Sequence, residues 1–564
     1  MPSLSPTERY VELQDVTPRD GDQTYGISMS ADDKLWFVEH DRTMGIPKVE
    51  AGFPGSNDVD RAVFAHLREH PPSGITYAAF GMTRRKDTRA EDDPLLREIL
   101  KSGAPIITLV GKASHLQVER ALNTTPKENL AMVSDSFAFL HSNCAARLHF
   151  DAEHFFDGFA EEPEYALSVL QAAVRGGAER LILCETNGYS TPSLVYRAVE
   201  EVRHAFADRV IGIHPHNDRD LATANALAAV DAGARHVDAT WNRLGERSGN
   251  ADLTALIPNL HLQGYRTIPE DRLALLTDAS EKAARRVHMT RYPSQSFVGK
   301  RAYAHKGGMH ASAVGKEPSN YEGSPPETWG NQRVIVGSKQ AGLSNVRAIA
   351  EGSRLLTDDL KKRILSDTSI QQRVLDAIEA KESAGFCMDH ADASLELLML
   401  RALEALSPQI CILSSEVHST LSVHNPGDIS AEMQRGTEKS TRAIVSVRVN
   451  GDTESFDTWA KDDGPIGALC EALLKGLKDR FPFLPRTVEL VNYRLSKSEQ
   501  SSEGTHSVVQ VEVDWTDDRH QWTTTGVSHN SIDAGWQAVV DAMEYKVQLE
   551  RIRSDSAASE AASP

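Results

Sequence analysis

The sequence predicts an α/β protein whose first half is a (β/α)8 barrel, and three observations support that fold class. From Tyr10 to about Leu262, short β-rich apolar runs alternate with longer, mixed-charge stretches of helical pattern. Eight such runs occur, the number of strands that closes this kind of barrel. The Gly-x-Gly-x-x-Gly turn of a dinucleotide-binding fold is missing after the first run, which disfavours the competing doubly wound open sheet. The predicted strands are 11–16, 48–52, 75–80, 105–111, 147–153, 180–186, 210–214 and 236–241.

The remaining chain is predicted to add two regions to a catalytic barrel at 1–290. Residues 291–425 begin with Gly-rich loops and turn helical from about 345 to 406, as a linker and helical subdomain completing the active site. Residues 426–550 predict a small α+β domain of regulatory type, and 551–564 a disordered Ser/Ala-rich tail. In the α+β domain, strands are expected at 443–449, 487–495, 507–515 and 521–527, and helices at 465–478 and 531–549. The polar stretch 424–442 is expected to be a loop or linker.

Composition limits the classes of partner and compartment. The 564 residues are 40% hydrophobic and 25% charged, which is typical of a soluble globular protein with two or three domains. A formal net charge of −19 disfavours nucleic acid or an anionic membrane as partner. Five scattered cysteines without a Cys-x-x-Cys pair predict neither a disulfide framework nor structural zinc. With no signal-peptide pattern and no run of 18 apolar residues, a cytoplasmic location is expected.

Polar side chains at the ends of the predicted strands indicate a metal site. His214 and His216 end the seventh strand, where residues two apart point to the same side. Asp20 follows the first strand and Asn250 the eighth, and in a barrel these ends meet on one face. Such nitrogen and oxygen ligands suit Mn²⁺, Mg²⁺, Co²⁺ or Zn²⁺ without choosing among them. The alternative is a pair of histidines in a polar loop beside a capped turn.

Arg19 precedes the candidate ligand Asp20 in a Gly-containing turn. Its guanidinium suits either of two tasks, which are bidentate binding of a carboxylate and stabilisation of an oxyanion. The segment 245–250 has flanking glycines, which allow the backbone to approach a ligand closely. Glu246 and Arg247 are more simply explained there as a structural ion pair.

The motifs together resemble a known family, the DRE-TIM metallolyases, which includes 2-isopropylmalate, homocitrate and citramalate synthases. The matching segments are Arg19-Asp20-Gly21, His214-x-His216-Asn217-Asp218 and Gly245-Glu246-Arg247-x-Gly249-Asn250. Stretches 151–158, 184–188, 297–300 and 305–314 resemble the long citramalate synthase type more specifically. The resemblance extends from about Tyr10 to Leu549, and the combination of motifs makes it specific.

The resemblance implies an acyltransferase that uses acetyl-CoA and a divalent metal. The enolate of acetyl-CoA would attack the ketone of a 2-oxo acid, most simply pyruvate, and thioester hydrolysis would release (R)-citramalate and CoA. The implied metal ligands are Asp20, His214 and His216, with Asn250 nearby or coordinating. The other implied site residues are Arg19 for the developing alkoxide, Thr186 for the substrate carboxylate, Glu153 and His310 for acid–base work, and Tyr321 near the acetyl group.

The resemblance also implies a homodimer whose C-terminal domain binds a branched-chain amino acid. A pure dimerisation module without an effector is the alternative, and the sequence does not separate the two.

The chain departs from the family pattern at several predicted mouth positions. Ser114 replaces a usual tryptophan, and Asp220 and Arg243 replace usual glycines. We hypothesise that Ser114 makes room for a dianionic 2-oxo acid, such as oxaloacetate, 2-oxoglutarate or phosphonopyruvate, and that Arg219 or Arg243 binds its second anionic group. The alternative is drift, with Arg219 paired to Asp220 and pyruvate still the substrate, and we favour pyruvate.

Other functions remain open at this point. A 2-isopropylmalate synthase would use 2-oxoisovalerate, and a metal-dependent aldolase or lyase would cleave a carbon–carbon bond on the same barrel. A third possibility is a non-catalytic, effector-binding protein. The regulatory-type domain and the His310 loop favour a synthase over a lyase, and the full set of candidate site residues argues against a protein without activity.

Overall fold

The computed structural model of the chain describes residues 9–338, 341–389, 391–419, 441–498, 507–517 and 519–561. Two compact units emerge: the first runs to Tyr303 and takes in Ser324–Gln332, and the second comprises Ala304–Gly323 and the chain from Arg333 onward. The three-way domain division stays a prediction. Most of the predicted linker 424–442, with the boundary at 425, lies outside the described residues.

The first unit is built on a closed barrel of eight parallel strands, as predicted. Neighbouring strands in sequence pair with each other, and β1 pairs with β8 to close the ring. β2 and β5 have the predicted bounds, and the other strands differ from prediction by one or two residues at an end. The strands are β1 Glu12–Asp15, β2 Lys48–Gly52, β3 Thr76–Met82, β4 Ile106–Lys112, β5 Arg147–Glu153, β6 Arg180–Glu185, β7 Val210–Pro215 and β8 His236–Ala239.

Helices follow the strands and cover the outside of the barrel. Their starts are specified locally: Ser30 forms a capping box with Asp33, and several later helices begin with proline at the first turn. Outward side chains of the strands pack on them, as Phe150 does on Phe137 with ring centres 5.6 Å apart. The helices are α1 Ala31–Met44, α2 Asp58–Glu69, α3 Pro94–Lys101, α4 His115–Arg120, α5 Pro126–Asn143, α6 Phe155–Glu161, α7 Pro163–Gly176, α8 Pro192–Ala205, α9 Ala222–Asp231, α10 Leu253–Leu262 and α11 Leu276–Arg286.

The inside of the barrel is more polar than is usual for this fold. Outward and inward residues alternate along each strand, so Leu148 and Phe150 pack with the helices while His149 and Asp151 face the lumen. Most barrels fill the lumen with Val, Ile and Leu. Here the buried or half-buried inward residues include Glu12, Gln14, Lys48, Glu50, Thr108, His149, Asp151, Arg180, His236 and Asp238.

The second unit combines helices with two three-stranded antiparallel sheets. Four helices between Leu343 and Ala402 (α13 to α16) confirm the helical pattern predicted from about 345 to 406. The elements are β9 Ala304–His305, α12 Gly308–Lys316, β10 Val334–Ile335, α13 Leu343–Gly352, α14 Asp358–Ser366, α15 Thr368–Ser383, α16 Asp392–Ala402, β11 Ile410–Ser419, β12 Thr441–Val449, β13 Phe456–Asp462, α17 Pro465–Leu477, α18 Leu484–Thr487, β14 Glu489–Lys497, β15 Val509–Thr516, β16 Gln521–Ser528 and α19 Ser531–Ala561.

The predicted element order misses two strands, β11 before the expected start of the α+β domain at 426 and β13 within that domain. β11 and β13 were not expected, because β11 is largely exposed and β13 buries only Ala460, so neither has a clear alternation of apolar residues. With them, each sheet is a run of three strands followed by a main helix. The last helix extends past its expected end at 549 to Ala561. Residues 551–561, which were predicted to be a disordered tail, are therefore helical, and 562–564 lie outside the described residues. None of the described helices is long and apolar enough to span a bilayer.

We predict that one buried carboxylate, that of Glu396 in α16, stabilises the second unit. Its Oε2 accepts hydrogen bonds from Ser353 Oγ at 2.7 Å, Leu355 N at 2.8 Å and Arg354 N at 2.9 Å. Removing the acceptor leaves these donors unsatisfied in a buried place, so Glu396→Ala is expected to lower the free energy of unfolding by about 2–4 kcal/mol. Urea denaturation checks this, with the exposed helical Glu379→Ala as control. Equal effects of the two variants would contradict it.

Candidate metal and substrate site

Asp20, His214 and His216 meet at the carboxyl end of the barrel strands. Asp20 Oδ2 lies 3.2 Å from His214 Nε2 and 3.6 Å from His216 Nε2. One potential ligand atom from each of the three residues falls within 4.8 Å of the others. Neighbouring ligands of an octahedral ion with bonds of about 2.1 Å lie about 3.0 Å apart, so this spacing fits a small divalent cation.

The predicted fourth ligand, Asn250, is brought to the same place. Its Nδ2 donates to Asp20 Oδ2 at 2.8 Å and to Leu244 O at 3.0 Å. Its Oδ1 is buried and has no hydrogen-bond partner. A buried acceptor without a partner is rare, and a cation beside Asp20 would satisfy it. The donor set and this free oxygen therefore fit the metal that the sequence predicts, without selecting its identity.

The charges around the site favour binding of a cation. Burial opposes ionisation of Asp20, but Arg19 and hydrogen bonds from His214 and His216 hold the pKa of that carboxyl well below its usual range. Burial also opposes a charge on His214, but its bonds to Asp20 and Asp238 raise its pKa to about 10. The pocket thus favours one positive charge between these carboxylates, and a bound cation would displace the imidazole proton.

Arg19 is fixed by two carboxylates and an aromatic ring. Its Nε donates to Glu50 Oε2 at 2.6 Å, and its Nη1 lies 3.0 Å from Asp20 Oδ1. The guanidinium carbon stands 4.1 Å from the centre of the Phe80 ring. These contacts set the plane of the guanidinium next to the metal ligands, where the sequence placed it.

Glu153 and Thr186 stand at the ends of neighbouring strands. Glu153 Oε2 pairs with Lys112 Nζ at 2.5 Å. Thr186 Oγ1 accepts from the backbone N–H of His154 at 2.8 Å, so the hydroxyl proton remains to be donated elsewhere. His154 holds a left-handed backbone, with φ of 58°.

Ser114 acts as the N-cap of α4. It is buried, and its Oγ accepts from Gln117 N at 3.5 Å. This contact neither requires nor tests the predicted role of Ser114 in making room for a larger substrate.

Arg219 and Arg243 have other partners than the sequence suggested. The exposed Arg219 donates to Tyr189 O at 2.9 Å, while Arg243 Nη1 lies 3.5 Å from Asp220 Oδ1. The expected Arg219–Asp220 pair is thus replaced by an Arg243–Asp220 pair. Asp220 and Arg243, the two replacements of family glycines, have φ of 58° and 62°, in the region that glycine adopts easily. Arg247 pairs with Asp218 at 2.8 Å and less closely with Glu246 at 3.6 Å.

His310 and Tyr321 belong to the second compact unit. His310 lies in α12, and Tyr321 follows a short 3-10 turn at Pro318–Asn320. Their rings stack with centres 4.1 Å apart and planes 25° apart. The structure therefore brings these two predicted residues to each other.

Several residues that shape the site were not singled out from the sequence. Asp238 Oδ2 lies 3.2 Å from His214 Nδ1, and Asp238 Oδ1 lies 2.8 Å from His236 Nε2. Asp151, His214 and Asp238 form a second group of potential ligand atoms, which lie within 4.8 Å of one another. The available signal was the spacing of two between polar residues in β5 and β8, which places them on the inward face.

Comparison with known proteins decides the family. A (R)-citramalate synthase of Synechocystis is 38% identical over 95% of this chain and 96% of its own length. The corresponding enzyme of Aquifex aeolicus is 36% identical, covering 95% of this chain and 98% of its own. The chain belongs to the (R)-citramalate synthase family. The resemblance inferred from the motifs is confirmed.

Three family models match successive parts of the chain and agree with this family. Residues 10–281 match the HMGL-like model, 297–368 the homocitrate synthase post-HMGL domain-like model, and 392–547 the LeuA allosteric (dimerisation) domain. A 2-isopropylmalate synthase of Sulfolobus acidocaldarius is more distant, with 27% identity over 69% of this chain. The citramalate synthase family thus accounts for the barrel and the C-terminal region together.

We predict that Asp20→Asn weakens Mn²⁺ binding by at least about 100-fold, because it removes the carboxylate that both histidines contact. Substitution of a residue that only supports a metal ligand typically weakens metal binding by about 10–100-fold, so loss of a ligand itself should cost at least as much. Titration of the full-length protein, followed by the Mn²⁺ electron paramagnetic resonance signal, measures the affinity. The matched control is Asp22→Asn, since Asp22 is two residues away and bonds Met29 N and Lys34 instead. Wild-type affinity in Asp20→Asn would refute this ligand assignment.

Proposed function

We propose that the protein condenses acetyl-CoA with pyruvate to give (R)-citramalate and CoA. The observation that carries this proposal is the family: five (R)-citramalate synthases are 34–38% identical over 95–97% of the chain. The cluster of Asp20, His214, His216 and Arg19 supports it, because this reaction needs a polarised ketone and a positioned cationic donor.

Asp20, His214, His216 and the Asn250 oxygen would hold the divalent metal. A bound cation there supplies Lewis-acid polarisation of the ketone of the 2-oxo acid. The identity of the metal is open among Mn²⁺, Mg²⁺, Co²⁺ and Zn²⁺, since this mixed ligand set suits all of them.

Arg19 would stabilise the negative charge that develops on the ketone oxygen. Its guanidinium is already oriented by Glu50, Asp20 and Phe80, so little reorganisation is needed as the charge forms. Thr186 would bind the substrate carboxylate, since its Oγ1 accepts from His154 N and its hydroxyl proton stays available for donation.

Glu153 and His310 are proposed for the acid–base work, with Tyr321 near the acetyl group. One group removes a methyl proton of acetyl-CoA and another returns a proton to the alkoxide, and carboxylate and imidazole are suited to both tasks. The stacking of Tyr321 on His310 supports a defined ring orientation for that histidine.

A dianionic 2-oxo acid is a less favoured substrate. The hypothesis needed Arg219 or Arg243 to bind a second anionic group, but Arg243 pairs with Asp220, and Arg219 is exposed and bonds a backbone carbonyl. The names of the relatives favour neither this substrate, nor 2-oxoisovalerate, nor a lyase reaction.

We predict that pyruvate gives the highest kcat/KM in a thiol-release assay with acetyl-CoA and Mn²⁺ or Mg²⁺. The competing substrates are 2-oxobutyrate, 2-oxoisovalerate, oxaloacetate, 2-oxoglutarate and phosphonopyruvate. Arg219→Ala and Arg243→Ala are expected to leave this ranking unchanged. Preference for a dianion that is lost in one of these variants would instead establish the larger substrate.

Variants in the same assay test the assignment of residues. Arg19→Gln is expected to lower kcat by about 10²–10³-fold, the usual effect of losing one oxyanion donor. Glu153→Gln and His310→Gln are expected to lower kcat by about 10²–10⁴-fold. Wild-type kcat in any of them would remove that residue from the mechanism.

We also propose that the protein is a homodimer that binds a branched-chain amino acid through its C-terminal domain. The match of 392–547 to the LeuA allosteric (dimerisation) domain supports both parts, and twofold dimers are the commonest assemblies. We predict a dimer mass by light scattering and inhibition by isoleucine, leucine or valine. Dimer mass without any response to these amino acids would leave only the dimerisation module.

A further inference from the structure

A set of charged and imidazole side chains lies at the opposite end of the barrel from the metal ligands. Glu12, Lys48, Arg180 and His236 are the first residues of β1, β2, β6 and β8. Lys48, Arg180 and His236 are almost completely buried, and Glu12 is partly buried. Residues at the starts of barrel strands usually serve stability alone, because active sites form at the strand ends.

These residues are connected to the metal site by direct contacts. His214 Nδ1 lies 3.2 Å from Asp238 Oδ2, and Asp238 Oδ1 lies 2.8 Å from His236 Nε2. His236 Nδ1 contacts Arg180 Nη1, which also pairs with Glu12 Oε1. Glu12 Oε1 in turn lies 2.5 Å from Lys48 Nζ. The contacts form a chain along the lumen from the start of the strands to a metal ligand.

Arginine fixes the proton positions in this chain, because a guanidinium donates hydrogen bonds and cannot accept them. Arg180 must donate to His236 Nδ1, so the ring proton of His236 is on Nε2 and is donated to Asp238. Asp238 then remains an acceptor for His214 Nδ1–H. When a cation displaces the other imidazole proton, the lone pair of His214 is therefore on Nε2, the atom that faces Asp20.

We propose that Arg180 and His236 are positioning residues for the metal site, which set the tautomer and ring orientation of His214 through Asp238. The inference rests on the metal centre of the proposed function and extends it to the far end of the barrel. Carboxylate partners of metal-bound histidines are known to support affinity. Here the carboxylate is itself completely buried, so its orientation depends on the next donor along the lumen.

The test is the Mn²⁺ affinity of the full-length protein, measured by electron paramagnetic resonance without substrate. Arg180→Met removes the obligate donor and is expected to weaken Mn²⁺ binding by about 10–100-fold. Arg180→Lys also presents only donors and is expected to keep the wild-type affinity. His236→Phe fills a similar volume without donating to Asp238, so it is expected to match Arg180→Met and serves as a second variant if that one fails to fold.

The matched control is Arg84→Met. Arg84 is another nearly buried arginine of the first unit, paired with Glu128 at 2.7 Å and Asp135 at 2.8 Å. Its loss is expected to lower the melting temperature while leaving the Mn²⁺ affinity unchanged. Wild-type affinity in folded Arg180→Met or His236→Phe, or an equal loss in Arg84→Met, would overturn the proposal. If the wild-type protein itself does not bind Mn²⁺ or another divalent cation, the metal centre of the proposed function fails and this inference fails with it.

Discussion

Closure of the barrel by the pairing of β1 with β8 is the constraint on which the site depends. Glu12 to Asp15 pair residue by residue with His236 to Ala239. This places the loop after β1 beside the loop after β8, so Asp20 meets Asn250, which is 230 residues away in sequence. Because β7 pairs with β8 on the other side, His214 at the end of β7 also reaches Asp20, from 194 residues away. Because side chains alternate with a period of two, a slip of one residue in this pairing would turn the inward groups outward.

The lumen holds charges at a cost in stability. Buried ion pairs often contribute less than well-packed apolar side chains of the same volume, because both partners lose their hydration. Burial raises the pKa of Asp151, with Asp238 and Glu50 adding to the shift, and it raises the pKa of Glu50 despite Arg19. His214 also has a carboxylate on each side. Buried groups with shifted pKa values are concentrated at functional sites. The polar lumen is therefore best explained by ligand binding, since stability alone would favour an apolar core.

The sequence predicted the barrel well because its signals are local. Each strand is a short apolar run, and the family motifs lie at the strand ends, so Asp20, His214, His216 and Asn250 converge as expected. What could not be predicted depends on contacts across the lumen. Nothing in the local pattern of β6 or β8 indicates that Arg180 meets His236, because register across a closed sheet decides it. The exposed strands β11 and β13 were missed for another reason, since they lack the alternation that burial imposes on a sequence.

The polar lumen has a consequence for protein engineering. Barrels are often regarded as modular, with an inert body and exchangeable loops that carry the chemistry. Loops transplanted from this chain into an idealised body filled with valine and isoleucine would bring Asp20, His216 and Asn250, but not Asp238, His236 or Arg180. His214 belongs to β7 and would have to be placed in the new body separately, where it would be free to rotate and to exchange tautomers. The smallest transferable part of this catalyst is therefore the loops together with the inward faces of β2, β6, β7 and β8, since Glu50 of β2 orients Arg19.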